Sequence, residues 1–140
     1  MRDYELLLAP VTGWLVAQAI KYLVFLRKDG LQFNDLFASG GFPSSHTAFI
    51  ISPLVLLGLR NGADDPLFAV LGIITCIVLY DAVGVRRSNG EQAVAIKELA
   101  SKTGKTLTTR IHRAKGHTPT EVMAGLTLGI IIGFSFYLLG

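Results

Sequence analysis

This chain has one cysteine, one tryptophan and little charge: only 16% of its 140 residues are Asp, Glu, Lys or Arg. A lone cysteine, Cys76, excludes an intramolecular disulfide and a cysteine metal cage. Missing too is any basic region followed by a short apolar core and a small-residue cleavage site, since the chain opens Met-Arg-Asp-Tyr-Glu. The first apolar segment is therefore expected to persist in the mature protein. There is no internal repeat and no low-complexity tract. The few charges are clustered rather than spread, so the net charge of +3 says less than the location of the cations, and nucleic acid is not expected as a partner.

What is there in abundance is apolar surface. With 51% hydrophobic residues and a positive mean hydropathy, the chain carries more of it than one small soluble core absorbs, and a bilayer is the natural solvent. Crossing about 30 Å of hydrocarbon takes about 20 helical residues, fewer where an end is buried in protein. Four spans are expected, at 6–26, 45–60, 67–85 and 119–139, in a single all-α membrane domain covering 1–140. A Gly-rich loop follows the first span, and 86–116 is the one long polar loop. Within it Ala93, Ile96, Leu99 and Ala100 recur at helical spacing between Lys97, Glu98 and Lys102, the pattern of an amphipathic helix lying at the interface or of a solvated connector. Gly125, Gly129 and Gly133 at four-residue spacing allow close helix approach, either within the bundle or in a homo-oligomer.

Cations near short loops bias orientation toward the cytoplasm. Arg27, Lys28, Arg86, Arg87, Lys97, Lys102, Lys105, Arg110, Arg113 and Lys115 fall on one face, and only Arg2 and Arg60 on the other. The basic face is therefore expected in the cytoplasm of a multi-pass cell-membrane protein, although an anion site would concentrate cations in the same way.

The starts of the second and fourth spans share that face, which puts Pro43-Ser44-Ser45-His46 beside Gly116-His117-Thr118-Pro119. Helix starts offer unpaired N–H groups and partial positive charge, so two converging beneath basic loops make a phosphate seat, with Ser44 and Ser45 as further hydroxyl donors or simple N-caps. Two imidazoles beside a phosphate divide the labour of attack and protonation. Glu121, four residues after His117, either holds the imidazole tautomer or closes a capping box with Thr118.

Ionisable groups within spans are costly, and Lys21 and Asp81 lie about 8–9 Å inside the same face at the helical rise. They either pair with each other, or Lys21 faces the phosphate while Asp81 orients it or Arg86. Of the adjacent Arg86 and Arg87, at most one faces the site, the other anchoring to headgroups. A divalent ion held by Asp81, Glu121 and one of His46, His112 or His117 is the remaining chemical option, with no dense ligand motif behind it.

These residues resemble the type 2 phosphatidic acid phosphatase superfamily, related to vanadium haloperoxidases, and specifically its small divergent bacterial and plastid branch. Pro43-Ser44-Ser45-His46 is similar to the superfamily's Pro-Ser-Gly-His, and His117 with Glu121 to its terminal His and Asp. Likeness to the divergent branch extends over Gln18 and Lys21, Asp81 through Arg87, Gln92, and 116–122. The resemblance implies His117 as a nucleophile forming a phosphohistidine, Glu121 as its orienting acid, His46 as general acid and Ser44 as a phosphate donor, with no metal or other cofactor required. Departures are plain. Ser45 stands for a glycine and Glu121 for Asp, Ile111 occupies the place of an expected Arg, and Lys21 is followed by Arg27, Lys28 and Asp29 instead of a later Arg-Pro. Lys21 and Arg86 are inferred to replace the missing cations. The implied activity is that of a phosphomonoesterase on a lipid phosphate at the membrane, phosphatidylglycerophosphate among the candidates. A non-catalytic lipid-phosphate binder and a small transporter or channel subunit are the alternatives.

Overall fold

In a computed structural model, residues 3–27, 41–105 and 116–140 are described. Lys28, Asp29, Arg110, Ile111, His112, Arg113 and Lys115 fall outside the described residues, as does Arg2. The described chain is all α: α1 Asp3–Leu26, α2 Ser45–Asn61, α3 Pro66–Tyr80, a π-helical turn Asp81–Val85, α4 Arg86–Lys102 and α5 Pro119–Leu139.

Three helical stretches, Tyr4–Leu26, Pro66–Lys102 and Pro119–Leu139, are long and apolar enough to cross a membrane. The fourth expected span corresponds to α2, at 17 residues shorter than the others and the most enclosed. It packs most extensively on α5 and then on α1, with α3 on a further side. Its inward residues, among them Ala48, Ile51, Ser52 and Leu56, form much of the core. In contrast α3 exposes Leu67, Val70, Ile73 and Ile77, the pattern of a helix solvated by lipid rather than by protein.

Close approach is a matter of missing side chains. Along α5, Gly125, Gly129 and Gly133 are buried against α2: a Cβ on Gly129 would stand 2.7 Å from the Cβ of Ile51, and one on Gly125 would run into the Ser44 carbonyl. The glycine stripe is thus taken up within the chain, and an oligomer would need another face. Pro53 leaves the Phe49 carbonyl without its helical donor, and the Ser52 hydroxyl donates to it instead at 3.4 Å.

The stretch following the third span differs from the polar loop expected at 86–116. Residues Arg86–Lys102 are helical from the first, and α3, the π turn and α4 form one uninterrupted helix of 37 residues, Pro66–Lys102. At the helical rise it is about 55 Å long, well beyond the hydrocarbon thickness. Gly84 lies within Asp81–Val85, yet neither proline nor cap ends the helix there, and the irregularity at Tyr80–Arg86 is one wide turn.

At the end of the bundle away from the histidines, Arg60 of α2 pairs with Glu5 of α1, both largely buried, and donates to the Phe136 carbonyl of α5 at 3.3 Å. One guanidinium thereby ties together three helices and satisfies a carbonyl in the last turn of α5.

Candidate active site

The α5 start is built by Thr118. Its hydroxyl accepts the Glu121 N–H at 3.3 Å while the Glu121 carboxylate accepts the Thr118 N–H at 3.0 Å, a complete capping box with Pro119 at the first helical position. The same carboxylate oxygen, Oε2, lies 3.2 Å from His117 Nδ1. Cap and imidazole partner, alternatives in the sequence, are here both satisfied by one oxygen. His117 itself is 3% exposed, and its main-chain N–H donates to the Ala82 carbonyl of the π turn at 3.0 Å. Burial pushes its pKa below the usual imidazole range, a shift partly opposed by the Glu121 carboxylate. With Nδ1–H directed at a carboxylate, the ring presents Nε2 with its lone pair.

The α2 start is built by Ser44, whose oxygen accepts the Thr47 N–H at 3.3 Å and the Thr47 hydroxyl at 2.8 Å. Ser44 is fully buried, and its own N–H donates to the Glu121 carbonyl at 2.9 Å, so the two helix starts are joined backbone to backbone. His46, one residue into α2, is exposed, and its ring centroid lies 6.1 Å from that of His117 at an angle of 61°.

Around the two rings the structure sorts the remaining residues. Lys21 does not pair with Asp81. Its Nζ donates to Ser45 Oγ at 3.2 Å, and its charge bears on Glu121 and on both imidazoles. Asp81 instead accepts from Arg86 Nε at 2.6 Å, and Arg86 is the second cation whose field reaches both rings. Arg87 turns outward to Glu91 at 3.1 Å, and Gln92 is exposed and donates to Ser88 at 3.3 Å, so neither joins the constellation. Gln18, one turn before Lys21, keeps Oε1 buried with no hydrogen-bond partner among the described residues. No group of three or more His, Cys, Asp or Glu among the described residues is arranged to hold a metal ion. His112, part of that option, lies outside them.

Two contributors escaped sequence reasoning. The Ala82 carbonyl is a backbone group exposed by a π turn that no residue pattern announces. Gly116 fits backbone to backbone against Arg87, where any Cβ would collide with the Arg87 main chain. A glycine directly before the histidine was the available signal for that close approach.

Chemically, the arrangement can accept an anion between one buried and one accessible imidazole, beneath two cations and beside two helix starts. The chain is 32% identical to the uncharacterized membrane protein YuiD of Bacillus subtilis (strain 168) over 141 aligned residues, 90% of this chain and 89% of that protein. No solved structure matches. Since the Divergent PAP2 family matches residues 3–132, carrying both histidine-bearing helix starts, the chain belongs to that family.

Proposed function

We propose that this membrane protein is a lipid-phosphate phosphatase working through a phosphohistidine, on a substrate presented at the cytoplasmic leaflet. One observation carries the reading: two imidazoles 6.1 Å apart at paired helix starts, one of them oriented through Nδ1 by a carboxylate. In the first step the His117 Nε2 lone pair forms an N–P bond as the bond from phosphorus to the lipid oxygen breaks, and protonated His46 gives its proton to that oxygen. Water then attacks phosphorus, the N–P bond breaks, and His46 takes the water proton, restoring both rings. Lys21 and Arg86 offset the charge on the phosphoryl oxygens, and Glu121 stabilises the charged imidazole.

Family membership supports a phosphatase-related role, and the apolar helices beside the site suit a substrate anchored in the bilayer. Phosphatidylglycerophosphate is a fitting candidate because its monoester phosphate lies at the cytoplasmic surface. The test is phosphate release from a panel of lipid phosphates in detergent, with and without chelator. Removing a nucleophile or acid that acts as one unit with its partner is expected to lower kcat by about a thousandfold or more in His117→Ala and His46→Ala. Phosphoenzyme should vanish in His117→Ala. Full turnover in that variant sinks the mechanism, and a folded wild type that binds orthovanadate without releasing phosphate from any substrate identifies a passive lipid-phosphate binder instead.

A further inference from the structure

We propose that Asp81 is the positioning residue of the site, fixing Arg86 through the π turn so that the outer edge of its guanidinium is presented to the substrate phosphate. This assignment rests on the phosphatase reading for the identity of the ligand and adds to it how the chain supplies a cation that no sequence motif provides.

The argument begins with helix geometry. In an α-helix, residues five apart point about 140° away from each other, so Asp81 and Arg86 would diverge. Here the turn between them is π-helical: the Arg86 N–H reaches the Asp81 carbonyl, one residue further back than an α-helix allows, and the two side chains come onto one side of the helix. Their bond at 2.6 Å uses Nε alone. Both terminal nitrogens of Arg86 are without a hydrogen-bond partner among the described residues, which leaves the fork that binds phosphate oxygens in a bidentate manner. The pair is accessible, with side-chain exposures of 44% and 38%, so a ligand can reach it, and the charge of Arg86 is felt by both His46 and His117.

The same turn is tied to the nucleophile. Ala82, its second residue, accepts the His117 N–H at 3.0 Å, and Gly116 rests on the main chain of Arg87. The mount that sets the direction of Arg86 therefore also sets the height of His117, and cation and nucleophile keep a common reference.

A double-mutant cycle on the full chain in detergent tests the assignment, reading orthovanadate affinity by calorimetry and kcat and KM for a lipid phosphate separately. Arg86→Ala and Asp81→Asn are each expected to weaken vanadate binding and raise KM by about tenfold, the scale of one charge-assisted contact. Once Arg86→Ala is present, Asp81→Asn should change neither quantity by more than about twofold, because its effect runs through Arg86. Should Asp81→Asn not fold, Asp81→Glu enters the same cycle, with a smaller loss that again disappears in Arg86→Ala. The assignment is overturned if the Asp81 variants lose as much in the Arg86→Ala background as in wild type, if they leave affinity unchanged, or if they tighten it. An active wild type with Asp81 variants equal to it removes this assignment alone. A wild type that neither binds vanadate nor releases phosphate removes the phosphatase reading as well.

Discussion

One oxygen of Glu121 holds both the Thr118 amide and the His117 ring, so its removal cannot be a purely structural or a purely chemical change. The two effects separate on the pH axis. Burial holds His117 below the ordinary imidazole pKa and Glu121 pulls it back up, so the neutral, nucleophilic ring persists to lower pH than a free imidazole, whose pKa is about 6.5. The acid limb of kcat/KM for His117 is expected below that value. In Glu121→Gln, where the amide can still cap the helix, the upward pull is lost and the limb should move further toward acid while the plateau falls. A pH–rate profile of the two proteins checks this, and a limb displaced toward alkali would contradict the assignment of Glu121 as the partner of His117.

At the level of elements, α2 and α5 owe their contact to glycines, and the consequence is measurable. Gly129→Ala places a methyl 2.7 Å from the Ile51 Cβ, on a neighbour whose branched side chain cannot swing away. Overpacking of this kind costs about 1–3 kcal/mol, and thermal unfolding in detergent should show it together with reduced turnover, whereas Ile131→Ala on the exposed side should stay within about 0.5 kcal/mol. The elements also mark the limit of what the sequence discloses. The apolar runs of α1, α3 and α5 are read directly, and Ser44 and Thr118-Pro119 announce the two helix starts because cap chemistry is local. The meeting of His46 with His117 follows from the alternation of the helices. Weak helix formers, Asp81, Val83, Gly84 and Val85, mark this stretch as a soft place in the helix, but they do not specify a π turn, which is tied to the contact of the Ala82 carbonyl with His117. The same holds for Lys21, whose choice of Ser45 over Asp81 is decided by how α1 leans on α2. Glu5 and Arg60 are 55 positions apart, and no spacing rule links them.

For the molecule as a whole, the two ends carry different chemistry. One end gathers Lys21, Arg86 and both imidazoles, with Lys97 and Lys102 beyond them along α4, while at the other Arg60 is neutralised by Glu5. If cation bias sets the orientation, α4 projects into the cytoplasm. A Gly104→Cys variant made in a Cys76→Ser background should then resist a membrane-impermeant maleimide in intact cells and react once the cells are permeabilised. Labelling of intact cells would place the histidines on the outer surface and exclude a cytoplasmic substrate.

The join between the helix starts, where the Ser44 amide meets the Glu121 carbonyl and Gly125 lies on the Ser44 main chain, has a consequence for how this protein can vary over time. Main chain touching main chain sets the separation of the two helix starts that carry the rings. Lipid-facing positions such as Ile73, Ile77, Ile131 and Leu138 can drift among apolar residues without moving either histidine. The tolerance of the geometry at the helix starts is held by a few small residues, and the rest of the surface is left free to follow the membrane in which the protein happens to live.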